Sequence, residues 1–345
     1  MKKFLCKKQN VFSLVKGIKR RFDTIKIPVK AIWIHLNFTD KNYNGVSMKK
    51  ASKGMKYTRR GAGVCSLSNV YGCRDADIII PEQVLFKGRV IEIDNYAFRN
   101  NAQIKSVVIP EGIMSIGDYA FENCKKLEYV VFPQSLKSIG RGAFRHCEKL
   151  KSIVLPSTVT SLSAETFACC YSLESIDLSR ILTIGKYAFA ECESLVDITI
   201  GDALEKIDAT SFRDSGYFKH HANWKDGLLY IGKWVVGCNG STGEYVIRSG
   251  TVGIASDVFA NEWHIKRTKK PEYDDVLDWF NAALECPNMM LPDLSHTPEY
   301  FEEIIPVKIR YEGTTSEWNK IVKLRGEKRI PAFVTTDDEP IETYL

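Results

Sequence analysis

Residues 116–133 read Ile116-Gly117-Asp118-Tyr119-Ala120-Phe121-Glu122-Asn123-Cys124-Lys125-Lys126-Leu127-Glu128-Tyr129-Val130-Val131-Phe132-Pro133. Residues 139–156 repeat them slot for slot: Ile139-Gly140, Ala143-Phe144, Cys147, Leu150, Ile153, Leu155-Pro156. Aligned on the phenylalanine, the same slot holds Phe98, Phe121, Phe144, Phe167, Phe189 and Phe212, at steps of 23, 23, 23, 22 and 23 residues. A small residue precedes each: Ala97, Ala120, Ala143, Thr166, Ala188 and Ser211. Three residues later comes Cys124, Cys147, Cys170 or Cys192, with Asn101 and Ser215 at the two ends. An apolar residue follows at Ile104, Leu127, Leu150, Leu173 and Leu195, and then an alternating pair such as Val107/Ile109 or Ile176/Leu178. A fixed period over this many copies identifies a repeat architecture.

The chemistry of the unit predicts its shape. Leu-x-x-Val-x-Ile alternates with period two, which is the pattern of a short strand with one buried face. Pro110, Pro133 and Pro156 lack the N–H that would continue the ladder, so they end their strands. Ala-Phe-x-x-Cys supplies a compact turn on the opposite side. One unit cannot close a core, but stacked units bury a continuous Phe/Leu/Val column and pair their strands in parallel. The expected fold is therefore a right-handed α/β repeat solenoid with one short parallel strand per coil of 22–23 residues.

This unit resembles the BspA-like leucine-rich repeat family. The likeness extends to Gly61–Arg89, which is similar to that family's leading coil. Trp224-Lys225-Asp226-Gly227-Leu228-Leu229-Tyr230-Ile231-Gly232-Lys233 is similar to its inserted hairpin, and Ile309–Thr314 with Glu317–Ile321 to its closing segment. The resemblance implies a leucine-rich repeat fold and binding of proteins, including adhesion at cell surfaces. Residues 1–60 and 262–300 fall outside the pattern. So does the usual asparagine ladder of leucine-rich repeats, in whose place a Cys slot precedes the strand.

The chain divides accordingly: a basic segment over 1–60, the solenoid over 61–262 with a hairpin at 224–243, an insertion over 263–300 and a closing repeat and cap over 301–345. In the insertion Pro271–Glu285 reads as a helix. Thr314-x-x-Glu317 is a capping box opening a last short helix.

The 345 residues are 44% hydrophobic and 26% charged, which excludes a disordered or collagen-like chain. The net charge of +6 conceals a split. Residues 1–60 hold 17 Lys and Arg against Asp23 and Asp40, a net of +15; the remainder holds 31 basic and 40 acidic residues, a net of −9. Within residues 1–22, Phe4, Val11, Val15, Ile18 and Phe22 share one helical face, with Lys7, Lys8, Lys16, Lys19, Arg20 and Arg21 around it. Four roles suit such a helix, one of them a targeting peptide. It could cap the solenoid's end, contact an anionic membrane surface or track nucleic-acid phosphates; the thin aromatic interleaving speaks against the last. No stretch is long and apolar enough for a membrane span. Lysines break the apolar run that an export signal needs, so the cytoplasm is the expected compartment, with the cell surface as alternative.

The residues offer little for catalysis, and no enzyme, cofactor or metal site is expected. None of the ten cysteines forms Cys-x-x-Cys, and no His pair has metal-ligand spacing. His146 beside Cys147 suggests a dyad, but that Cys belongs to the packing slot. Gly237–Gly243 lacks the Gly-Lys-Ser/Thr of a phosphate loop and reads as a hairpin loop.

The expected function is non-enzymatic binding of a protein partner through the exposed strand face. The outward position of successive strands reads Ile79, Val108, Val131, Val154, Asp177 and Thr199; two residues earlier the same face carries Ser106, Tyr129, Ser152, Ser175 and Asp197. Four β-branched apolar residues in a row would form an exposed apolar patch, and such patches mark interaction sites. The alternatives are a surface adhesin, or membrane or nucleic-acid binding through residues 1–60.

Overall fold

The computed structural model describes residues 52–239, 244–259, 264–269, 300–305, 307–323, 331–338 and 340–344. The proposed helices over 1–22 and 271–285, and the strands over 24–39, lie outside the described residues. The chain forms two compact units that meet in sequence at His221 and Ala222.

The first unit is the repeat solenoid. Its outer sheet holds six parallel strands: Asp77–Ile79, Ser106–Val108, Tyr129–Val131, Ser152–Ile153, Ser175–Leu178 and Asp197–Ile200, each beside the next. Register follows the repeat, as in Ile79↔Val108↔Val131 and Ser152↔Ser175↔Asp197.

Each coil also carries a second parallel strand, where the sequence suggested one. Ser115–Ile116 pairs with Ser138–Ile139, and Ser161–Leu162 with Thr183–Ile184 and then Lys206–Ile207. These strands are two residues long, too short for alternation to announce them.

Folding begins ahead of residue 61. Ser52 N–H donates to the Ile79 carbonyl at 3.1 Å, and Lys56–Gly61 pairs antiparallel with Val64–Asn69.

The core is the predicted column. Phe98, Phe121, Phe144, Phe167, Phe189 and Phe212 are buried and stack in sequence, with centroids 4.5, 5.0, 5.5, 5.6 and 5.0 Å apart and planes within 17° of parallel. The backbone stacks with them: Phe121 N–H donates to the Ala143 carbonyl at 2.7 Å, and Phe144 N–H to that of Thr166 at 2.8 Å.

The turns that deliver the first five rings each place two residues in the left-handed region, and that of Phe212 places one. Two positions before the ring stand Tyr96, Tyr119, Gly142, Glu165 and Tyr187; two after it stand Asn100, Asn123, His146, Cys169, Glu191 and Asp214. Gly142 is required on a second count. A Cβ there would lie 2.4 Å from the Tyr119 ring.

The second unit also builds parallel pairs. Trp234–Cys238 lies beside Gly253–Ile254, which lies beside Val322–Lys323. Tyr245–Ile247 pairs with Val307–Tyr311, and that strand with Pro331–Thr335. Trp224–Lys225, Leu228–Ile231 and Trp234–Cys238 form the expected hairpin region as an antiparallel ribbon. His264–Lys269 pairs antiparallel with Tyr300–Ile305. The capping box is present: Thr314 accepts from Glu317 N–H, Glu317 accepts from Thr314 N–H, and the helix Thr315–Lys320 buries Trp318.

Candidate functional site: the outer strand face

The outer sheet presents two side-chain columns away from the core. The inward positions Ile78, Val107, Val130, Ile153 and Ile176 are buried, which settles the phase of the first five strands. The first outward column runs Ile79, Val108, Val131, Val154, Asp177, Thr199. From Val108 onward its exposure rises along the solenoid: Ile79 and Val131 are half-buried, Val154 is 36% exposed, and Asp177 and Thr199 are exposed.

Val108 departs from the expected exposed patch. It points outward but is only 7% exposed. Its strand has full-length neighbours on both sides, so Ile79 and Val131 flank it directly in the ladder. Val154 lies past the end of its two-residue strand Ser152–Ile153 and gains no such cover. The accessible apolar surface is therefore narrower than the sequence suggests and centres on Val131 and Val154.

The second column is Asp77, Ser106, Tyr129, Ser152, Ser175, Asp197. The four interior positions are half-buried and the two terminal aspartates exposed. Ser106 Oγ donates to Asp77 Oδ1 at 2.6 Å. Asp177 is tied into its own turn, where it accepts from Ser179 N–H at 2.9 Å. The face thus has an apolar centre, a hydroxyl row with Tyr129 in it, and carboxylates toward the Asp197 end.

A third row escaped the sequence reading. Lys105, Glu128, Lys151 and Glu174 sit just before successive strands and are linked along the backbone: Glu128 N–H donates to Lys105 O, Lys151 N–H to Glu128 O and Glu174 N–H to Lys151 O. All are exposed except the half-buried Glu128, so the rim of the face alternates in charge. The signal was available, since each follows the repeat's conserved-slot Ile or Leu directly.

The cysteine slot is a structural hydrogen-bond ladder. Cys124 Sγ donates to the Phe98 carbonyl at 3.1 Å, Cys147 to Phe121 at 3.3 Å, Cys170 to Phe144 at 3.3 Å and Cys192 to Phe167 at 3.2 Å. All four are fully buried. Burial pushes Cys124 up to about 12 and holds Cys147 and Cys170 well above the ordinary thiol range. A nucleophilic cysteine needs its thiolate, and here the neutral thiol is favoured and its proton is engaged. His146 occupies one of the left-handed turn positions, at φ 57°.

Among the described residues no group of three or more His, Cys, Asp or Glu side chains could hold a metal ion, and no helix is long and apolar enough to cross a membrane. Lys7, Lys8, Lys16, Lys19, Arg20 and Arg21 lie outside the described residues.

No curated protein matches this chain. Several solved structures are similar. A T. pallidum leucine-rich repeat protein is 23% identical with a TM-score of 0.43; the match covers 46% of this chain and 85% of that one. A leucine-rich cell surface protein of Faecalibacterium prausnitzii is 20% identical with a TM-score of 0.47, covering 63% of this chain and 69% of that one. A leucine-rich repeat protein of Bacteroides ovatus is 26% identical with a TM-score of 0.48, covering 63% and 62%. The family described as the BspA type leucine-rich repeat region matches residues 91–219 and 179–274, in six copies. With the period, the stacked phenylalanine column and this match over more than half its length, the chain belongs to the BspA-type leucine-rich repeat family.

Proposed function

We propose that this chain is a non-enzymatic protein-binding module that uses the outer strand face. One observation carries the reading: Tyr129, Val131 and Ser152 lie on adjacent strands of one sheet and Val154 directly after the second, each at least partly accessible, between charged ends. An apolar centre inside a polar rim is the anatomy of a protein interface, and extended sheets are the usual binding surfaces of repeat proteins. Asp177, Asp197 and Thr199 would favour a partner with a basic or hydrogen-bonding edge at that end. Ile79 would bound the apolar end, with Val108 as buried support.

The test is capture of partners from the native host by wild-type protein and by Val131→Lys/Val154→Lys. Loss of the captured protein in the double variant, with unchanged thermal unfolding, supports the face. Unchanged capture overturns it.

The compartment that accords with this reading is a reducing one, because the four ladder thiols act as hydrogen-bond donors only while reduced. Protease treatment of intact cells tests it. Survival of the solenoid is the expected result. Digestion would place the face outside and make an extracellular protein its target.

A further inference from the structure

Two neighbouring, strongly exposed apolar side chains of the first coil stand together on a two-residue hairpin tip. Gln83–Val84 pairs antiparallel with the start of Gly88–Ile93, and Lys87 N–H donates to the Val84 carbonyl at 3.0 Å, closing a tight turn over Leu85 and Phe86. Leu85 is 80% and Phe86 92% exposed. Phe86 also sits at φ 62°, a conformation that glycine or asparagine adopts at less cost. Neither core packing nor backbone preference accounts for a phenylalanine here.

The surroundings of the tip are basic. The lining of a shallow groove of about 570 Å³ includes Arg59, Leu85, Phe86, Lys87 and Gly88. Arg59, Lys87 and Arg89 are exposed. Glu92 and Asp94 are already paired with Arg60 at 2.8 Å each, which leaves the exposed Glu82 beside three cations. The tip is held in place: Arg89 N–H donates to the Gly63 carbonyl at 2.8 Å, and a Cβ on Gly88 would lie 2.0 Å from that same oxygen.

The geometry points to the Leu85–Phe86 tip as a membrane-inserting wedge, with Arg59, Lys87 and Arg89 contacting the phosphates of an anionic lipid surface. The charge decides the occupant. Residues 1–51 carry 13 Lys and Arg against Asp23 and Asp40, so this chain's own basic arm would be repelled from the groove. A second copy docked through the same patch would set cation against cation. An acidic protein would satisfy the charges, but a stable protein interface needs about 800 Å² from each partner, far more apolar contact than two turn residues supply. Interfacial insertion needs only a short apolar element and adjacent cations. This inference does not depend on the strand face.

The test is flotation of the full chain with phosphatidylcholine vesicles, with and without phosphatidylserine, over a salt series. The wild type is expected to float with the anionic vesicles only, and less so as salt rises. Leu85→Ser/Phe86→Gly relieves the turn, so folding should survive, and should lower partitioning by about tenfold or more. Arg59→Gln/Lys87→Gln should lower it by about fivefold per charge. Failure of the wild type to float, or flotation of the tip variant like the wild type, overturns the proposal. So does binding that disappears only when residues 1–51 are deleted, or wild-type protein that ignores vesicles while binding polyglutamate through the same cations.

Discussion

The thiol of Cys147 donates a hydrogen bond to the backbone carbonyl of Phe121, one coil earlier, across 3.3 Å. The same bond links the next pairs along the column, Cys170 to Phe144 and Cys192 to Phe167. The slot thus gives a buried carbonyl, which already accepts a backbone N–H such as Cys124 N–H at 3.2 Å, a second donor at the point where the turn leaves the stack. It does so with a group that is otherwise apolar enough for the core. Cys147→Ala should therefore cost somewhat more than its lost volume, because the Phe121 carbonyl keeps Cys124 N–H but loses its second donor; about 0.5–1.5 kcal/mol is expected for the lost bond. Cys147→Ser, which keeps a donor, should retain part of that. Urea unfolding of the two variants decides it, and equal stability of alanine variant and wild type would remove the ladder's energetic role.

The same thiols set a pH dependence. Burial raises Cys124 from 9.0 to about 12, and Cys147 and Cys170 move the same way. A raised folded-state value means the unfolded chain releases its proton first. Stability from these groups is therefore complete below about pH 8.5, and declines as pH rises from there toward the folded values. The denaturation midpoint should be flat from neutral pH to that point and fall beyond it. A variant with alanine at Cys124, Cys147, Cys170 and Cys192, if it folds, should show a shallower alkaline decline.

Phe144 packs between Phe121 and Phe167 and meets Phe132 edge-on at 5.6 Å. Phe144→Ala should cost about 3–5 kcal/mol, because the neighbouring coils cannot close on the gap without breaking their strand register. Phe144→Leu should cost less. Calorimetry of both variants checks this, and a loss under about 1 kcal/mol for alanine would mean that the column is not the principal core.

Val108 and Val154 occupy the same repeat position but differ fivefold in exposure. Val108→Lys should destabilise the first unit by about 2 kcal/mol or more, since it places a charge where the ladder closes over it. Val154→Lys should stay within about 0.5 kcal/mol of wild type. Similar unfolding curves for the two would mean that the face is equally open along its length.

At the other end of the chain, Thr314→Ala removes the oxygen that accepts from Glu317 N–H. A loss of about 1 kcal/mol is expected, measured as a shift in the unfolding midpoint. No shift would mean that Trp318 packing alone holds the last helix.

Much of this protein follows from its sequence alone. The 22–23-residue spacing places each residue beside its counterpart one coil away, so period, buried slots, strand phase and the stacked rings were all legible. The capping box was legible for a similar reason, since its bonds join residues three apart. The tertiary structure decided what depends on more than lateral identity. It closed the ladder over Val108 and left Val154 uncovered, although both are valines in one slot. It drew a second, short strand from each coil, aimed the slot thiols at carbonyls, and left Leu85 and Phe86 standing in solvent on a turn. Those outcomes depend on where neighbouring backbone begins and ends in space. Repeat spacing determines which residues become neighbours, whereas the length of each paired segment determines how far they cover one another.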